Sequence, residues 1–416
     1  MAYDVVVVGG GAAGLMAAVT AAERGLSVLL LEKMDQAGRK LRITGKGRCN
    51  LTNTNTLRDT LPHIGSDARF LRNAYGRFFN RELMDFFEGH GVPLVVERGN
   101  RVYPASGKAL DIFLALIGGL EANPRVTIRK NATVKAVETF DEEGRRQATA
   151  VILERGERIP CRHVILATGG LSYPTTGSTG AGYRIAADLG HTVVEPVPSL
   201  VALRCAEKIP QELVGFQLKN VELTVQDAGK VLCRHFGEMT FCDDGLAGPI
   251  VLSTSRVITR QLHMTQEPLA ATIDLKPALT REQLDKRLIA DLNANGTRIF
   301  NDALRLWLPA ELIPLALPQM HIEYYKRLNQ INGDERRRLL SWLKGVRFTI
   351  TGTHDFNEAV VTQGGVSLSE VNPKTMESRL VSGLYIVGEL LDLDADTGGY
   401  NLQIAFSTGH AAGQAV

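Results

Sequence analysis

Tyr3-Asp4-Val5-Val6-Val7-Val8-Gly9-Gly10-Gly11-Ala12-Ala13-Gly14, read on to Glu32, decides the fold. The four valines predict a strand buried on both faces of a parallel sheet. Gly9, Gly11 and Gly14 place G-x-G-x-x-G at a strand-to-helix junction. Ala12 to Arg24 reads as the helix, with Gly25 as its stop. Ser27 to Leu31 predicts a second parallel strand, ending in Glu32, 18 residues beyond Gly14. Gly9 makes the turn, Gly11 leaves the backbone bare for a pyrophosphate, and Gly14 lets helix and strand pack closely. The helix N-terminus, at Ala12 and Ala13, then offers free N–H groups to a diphosphate. Glu32, followed by Lys33, can accept hydrogen bonds from an adenosine ribose and would repel a 2′-phosphate. A lone G-x-G-x-x-G is weak and can be an ordinary glycine-rich turn; strand, helix and terminal acid in register make it a dinucleotide site.

The rest of the chain bounds that reading. Its 416 residues suggest two or three domains. Hydrophobic residues at 44% and charged residues at 22% exclude disordered, collagenous and disulfide-scaffold classes. A net charge of +2 gives no push towards nucleic acid or membrane. Glycine is in excess, with 41 residues gathered in a few loops. The five cysteines (Cys49, Cys161, Cys205, Cys233, Cys242) form no Cys-x-x-Cys pair and read as free thiols of a cytoplasmic protein. Val5 to Ala22 is an uncharged run of 18 residues. With no basic region before it and three glycines within it, it reads as strand, turn and helix, not as a signal or a membrane span.

Further glycine-rich segments follow. Gly38-Arg39-Lys40 and the basic loop Thr44 to Asn53 are either solvated or a second clamp on phosphate and ring. Strands are expected near 125–129, 133–139 and 148–153, and His163 to Gly170 reads as another buried strand ending in glycines. Residues 200–275 alternate as short strands and turns. Residues 281–344 carry helical periodicity, with 12 Lys or Arg against 8 Asp or Glu across 281–347. Glycine-rich loops return at 363–366, 384–389 and 398–403. The organisation expected is α/β. A discontinuous nucleotide-binding domain, 1–194 plus 350–416, is interrupted by a β subdomain, 195–280, and a helical subdomain, 281–349.

Five ordered blocks (Asp4 to Gly14, Gly38 to Asn53, Ala167 to Gly182, Gly237 to Pro249, Gly388 to Gly409) together resemble the HI0933-like flavoproteins, also called YhiN- or BaiN-like. The resemblance implies a glutathione-reductase-like Rossmann domain holding non-covalent FAD, with a β-barrel-like plus helical insert. It implies an FAD-dependent oxidoreductase acting on a small molecule, with C=C reduction favoured. Related branches are linked to dihydrouridine formation in ribosomal RNA and to amine oxidation. Only one complete fingerprint is visible, so NADH or NADPH, if used, binds transiently. Where many relatives have Phe-Thr-His, this chain has Phe241-Cys242-Asp243, so no histidine role is carried over. No metal site is expected, and the oligomeric state is not legible.

The same resemblance distributes roles. Arg39 and Lys40 would meet the pyrophosphate, and the Val134 backbone the adenine. Thr168-Gly169-Gly170 would pass beneath the diphosphate, with Glu389 and Asp392 on the ribityl chain. Gly399-Tyr400-Asn401-Leu402 opens the last helix, whose N–H groups would face the flavin N1/C2=O edge, where reduced flavin is negative. Gly47, Arg48, Cys49 and Asn50 lie in the loop expected beside the flavin ring. Cys49 is the candidate proton donor, with Asn50 beside it a further catalytic candidate, Tyr103 its competitor, and Arg48 or Arg101 an anchor for an anionic or carbonyl group. Simple packing is the alternative for Cys49. Should the substrate be RNA, Arg336-Arg337-Arg338, Lys344 and Arg347, near Tyr324, Tyr325 and Trp342, would suit phosphate contacts; a solvated helix face is the alternative.

Overall fold

The valine run forms strand β1 (Tyr3–Val8), with Val5, Val6 and Val7 wholly removed from solvent. In this computed structural model, which describes residues 3–65, 67–142 and 144–416, β1 leads through Gly9–Gly11 into helix α1 (Ala12–Glu23). Strand β2 (Val28–Leu31) follows, pairing parallel to β1. On the other side of β1 lies Arg158–Leu166, and beyond it Leu384–Ile386, both parallel. Val126–Arg129 extends the sheet past β2. The amino-terminal half of Arg158–Leu166 turns from this parallel array into an antiparallel meander with Arg145–Leu153 and Val134–Glu142, completing seven strands. Strands with both faces covered explain why β1 and β2 read as continuous apolar runs.

The chain divides into two units: residues up to Pro198 together with Phe356–Val416, and Ser199–Asp355. Each has its own apolar core. In the first unit α1 is alanine- and glycine-rich and lies against the C-terminal helix (Tyr400–Ala415). A Cβ at Gly409 would stand 2.3 Å from the Ala13 carbonyl oxygen, which explains a small-residue helix with almost no amphipathic pattern.

The second unit is a closed six-stranded barrel, ordered Leu203–Cys205, Gly245–Ala247, Lys230–Cys242, Gln217–Asp227, Leu269–Asp274 and Val346–Thr353. Two features depart from the expected layout. The stretch expected as short strands also contains a long helix, Pro249–Thr265, whose apolar positions (Ile250, Val251, Ile258, Leu262) face the unit's core. Residues 346–349, expected to close the helical part, open the strand that completes the barrel. Among the described residues no helix is long and apolar enough to cross a membrane.

Candidate cofactor and catalytic site

The parallel strands end level. Val8 pairs with Leu31 on one side and Leu166 on the other, and Leu166 pairs with Ile386. The next residues, Gly9, Glu32, Ala167 and Val387, therefore emerge along one edge, the carboxyl edge where open α/β sheets bind ligands. Gly9 donates its N–H to the Leu31 carbonyl at 2.8 Å, and a Cβ on it would lie 2.5 Å from the Ala167 oxygen. A Cβ on Gly14 would lie 1.9 Å from the Gly9 oxygen. Gly11 is different: a Cβ there would meet nothing within 4 Å. It caps α1 without a side-chain hydrogen bond, and Leu15 N–H donates to its carbonyl at 2.9 Å. The N–H groups of Ala12 and Ala13 precede that bond and have no acceptor within the helix. A bare glycine facing open space at a helix N-terminus is the cradle that a diphosphate fits.

Glu32 is 9% exposed, and both its oxygens are engaged. Gly10 N–H donates to Oε2 at 2.9 Å and Met34 N–H to Oε1 at 2.8 Å. The carboxylate thus buckles the turn above β2 while keeping lone pairs for a ligand's hydroxyls. Lys33, its pKa lowered by burial, donates to Thr179 Oγ1 at 2.6 Å. Val134 opens its strand with its side chain in the core.

A second polar centre forms around Glu389. Lys40 Nζ lies 2.7 Å from Glu389 Oε2 and also donates to Ser172 Oγ. Glu389 Oε1 accepts from Ser172 Oγ at 2.7 Å and Thr362 N–H at 2.8 Å. Burial works to raise the Glu389 pKa, but Lys40 and these donors outweigh it and hold the carboxyl below its usual range. Expected on adjoining parts of a cofactor, the pyrophosphate and the ribityl chain, Lys40 and Glu389 are brought together by the fold. Arg39 pairs with Asp35 at 2.5 Å. Thr168 lies against Gly9, Gly169 is left-handed at φ +71°, and Gly170 abuts Thr362. Asp392 is half-buried, its N–H donating to the Val366 carbonyl.

The third centre is the start of the C-terminal helix. Gly399, at φ +96°, comes so close to segment 50–53 that a Cβ would stand 2.3 Å from the Thr52 oxygen. In the amide orientation that satisfies both ends, Asn50 accepts from Gly399 N–H at 3.0 Å and donates to the Thr52 and Val102 carbonyls. Thr52 donates to Gln403 and Gln403 to Ser407. Tyr400 accepts from Asn55 at 2.9 Å and stacks on His63 at 4.6 Å between ring centroids. His63 Nδ1 lies 2.9 Å from Asp396, with 41% of its side chain exposed. The Asn401 amide closes the preceding loop through Ala395, and Leu402 packs against the core. Arg48 pairs with Glu97 and lies 4.4 Å over the Tyr103 ring, while Gly47 faces open space.

Two expectations, those for Cys49 and Asn50, are corrected here. Cys49 is 0% exposed within the apolar core, and burial pushes its thiol pKa far up. A proton donor must touch substrate, and Cys49 has no exposed surface from which to do so. Asn50 has both amide ends engaged, which makes it a positioning residue for the helix and the loop. Tyr103 is 8% exposed beneath Arg48. The residues missed are Ser172, Thr362, His63, Asp396 and Gln403. Acids at every second position in Asp392-Leu393-Asp394-Ala395-Asp396 were a usable signal: Asp394 is 2% exposed, and Asp392 and Asp396 are half-buried.

In the second unit four of the expected phosphate contacts already have partners, although Arg337 and Arg338 are exposed. Arg336 pairs with Asp285 at 2.8 Å and Arg337 with Asp334, and Arg338 donates to the Met320 and His321 carbonyls. Lys344 pairs with Asp274, and the buried Trp342 donates to Gln319. Tyr324, Tyr325 and Arg347 are exposed.

The sequence model of the HI0933-like protein Rossmann domain matches residues 3–415. The 3-dehydro-bile acid delta(4,6)-reductase of Clostridium scindens is 34% identical over 411 residues, 98% of each chain. The ribosomal RNA dihydrouridine synthase of Escherichia coli K12 is 29% identical over 412 residues, 99% of this chain and 97% of that one. Among solved structures, 3-ketosteroid delta1-dehydrogenase from Sterolibacterium denitrificans aligns over 99% of both chains with a TM-score of 0.51 at 13% identity, a likeness of fold.

Proposed function

The chain belongs to the HI0933-like family, and we propose that it is an FAD-dependent oxidoreductase whose reaction is reduction of a C=C bond conjugated to a carbonyl in a small apolar molecule. The observation that carries the cofactor is the level carboxyl edge, where the open Gly11 cradle stands beside Glu32. The reaction is supported by the full-length similarity to a delta(4,6)-reductase. Bound FAD supplies the hydride; the protein supplies binding, orientation and the proton.

In this reading the N–H groups of Ala12 and Ala13 hold the diphosphate, Glu32 the adenosine ribose and the Val134 backbone the adenine. Lys33 and Arg39 lend positive charge at the rim. Thr168, Gly169 and Gly170 underlie the diphosphate, and the Lys40–Glu389 pair with Asp392 borders the ribityl chain. Asn50 holds the Gly399 end of the C-terminal helix in place. The N–H groups of Tyr400, Asn401 and Leu402 favour negative charge at the ring edge they face. Hydride delivered to one carbon requires a proton at its neighbour. We assign that proton to His63, the exposed member of the His63–Asp396–Tyr400 group, with Tyr103 as the competitor. Arg48 and Gly47 border the substrate side. NADH or NADPH restores the reduced cofactor.

The RNA reading loses support because Arg336 and Lys344 are half-buried and already paired within the unit, which leaves Arg337, Arg338 and Arg347 as its exposed cations. The test is anaerobic. Protein bleached by NADH or NADPH is mixed with a 3-oxo-Δ4,6 bile acid, and return of the oxidised flavin spectrum with loss of dienone absorbance is the result expected. Reoxidation by a uridine-containing ribosomal RNA fragment but not by the dienone would overturn the small-molecule assignment.

A further inference from the structure

Three donor atoms converge at one end of the second unit's barrel. Cys242 ends strand Lys230–Cys242, Asp244 lies in the tight turn before Gly245–Ala247, and His354 follows strand Val346–Thr353. Barrel closure brings them together: Leu203–Cys205 pairs with Gly245–Ala247 on one side and Val346–Thr353 on the other. His354 Nε2 lies 2.8 Å from Asp244 Oδ1, and Cys242 Sγ lies 3.7 Å from the same oxygen. All three donor atoms lie within 4.8 Å of one another.

We propose that Cys242, Asp244 and His354 form a binding site for a zinc-like divalent cation, with a fourth position open to water or an oxygen ligand. Tetrahedral zinc, with bonds of about 2.0–2.3 Å, sets its ligand atoms roughly 3.3–3.7 Å apart. The sulfur-to-carboxylate spacing already matches, and the imidazole-to-carboxylate pair must open by about half an ångström to admit an ion. One thiolate, one imidazole and one carboxylate suit zinc better than magnesium or calcium, which prefer all-oxygen sets.

The surroundings orient these ligands. Arg204 Nε holds Asp244 Oδ2 at 3.1 Å, leaving Oδ1 to the other two donors. Cys205 N–H donates to the Asp244 carbonyl at 2.9 Å, fixing the turn. Cys242 and His354 are half-buried and Asp244 is exposed, so an ion can enter from solvent. Binding is proton exchange without redox change: the Cys242 S–H bond breaks, sulfur takes the cation, and one proton leaves to solvent. The Arg204 guanidinium opposes the incoming charge, so affinity is set by the three direct bonds.

The test uses FAD-loaded protein cleared of metal by a chelator, then dialysed against buffered micromolar Zn²⁺. One zinc per chain is expected, together with at least tenfold protection of Cys242 from iodoacetamide, mapped by mass spectrometry and reversed by chelator. Removing a direct ligand should exceed the roughly 10–100-fold cost of losing a group that only hydrogen-bonds to a ligand. Cys242→Ser, Asp244→Asn and His354→Gln should therefore each weaken zinc binding by about 100-fold or more, with flavin content checking that each variant is folded. Failure to take up zinc, unchanged affinity in folded Cys242→Ser, or zinc uptake that leaves Cys242 alkylation unaltered would each overturn the site. None of these readouts depends on the reaction assigned to the flavin.

Discussion

Replacing Glu32 with alanine separates two jobs that the carboxylate does at once. It accepts N–H from Gly10 and Met34 at 2.9 and 2.8 Å while 9% exposed, and in our account it also accepts the adenosine ribose hydroxyls. Leaving the buried Gly10 donor and the part-buried Met34 donor without acceptors costs about 1–3 kcal/mol each. For a unit of this size about 2–4 °C of melting temperature is lost per kcal/mol. Apoprotein of Glu32→Ala should therefore melt at least about 4 °C lower. A hydrogen bond to a charged acceptor contributes about 1.5–3 kcal/mol, so losing even one ribose contact weakens FAD by about tenfold or more. Riboflavin, which lacks the adenosine half, should bind nearly as before. The assay is fluorescence titration of deflavinated protein with FAD and with riboflavin, beside apoprotein melting curves. Unaltered FAD affinity would refute the ribose role. Equal weakening of FAD and riboflavin would show that Glu32 acts only by shaping the turn.

His63→Asn should retain flavin and its bleaching by the donor but slow transfer to the dienone by about 10²–10⁴-fold, the usual worth of a positioned acid; rapid-mixing kinetics separate the two half-reactions. Cys49→Ala should leave both half-reactions within about twofold, well short of an acid's contribution, and native Cys49 should resist alkylation until the protein unfolds. Lys40→Met leaves the Glu389 carboxylate without its cation and should lower the urea midpoint more than the double change Lys40→Met/Glu389→Gln, because breaking a half-buried pair strands a partly desolvated charge and replacing both members does not. Burial lowers the pKa of His410 from 6.5 to about 4, and His163 and His191 shift the same way. The unfolded chain therefore binds more protons than the native one below pH 6.5. Stability is full above that pH and falls as pH drops towards 4. His410→Phe, which keeps the stack on Phe78, should flatten part of that decline in urea titrations at stepped pH.

The parallel core was legible because its signals are local. A run such as Val5 to Val8 needs burial on both faces, and Glu32 closes the next strand at a fixed distance. The helix Pro249–Thr265 was not, since it follows a glycine-rich turn and a three-residue strand and carries Ser and Thr at many positions. Tertiary packing of Ile250, Val251, Ile258 and Leu262 decides it. At the site, the family resemblance pointed to Glu389 and Lys40 but not to their union, which depends on residues 349 apart in sequence. Cys49 looked reactive in a glycine-rich basic loop, yet the loop takes left-handed turns at Gly45, Lys46 and Gly47 and turns the thiol into the core. His63 gave no signal because its partners, Asp396 and Tyr400, are more than three hundred residues away.

The cofactor itself is the most direct test. Protein purified without added flavin, then precipitated by acid or heat, should release one intact FAD per chain and leave a white pellet. Colourless protein that fails to bind added FAD tightly, or a released flavin that proves to be FMN, would contradict the assignment of the Gly9-to-Glu32 edge as the seat of a dinucleotide.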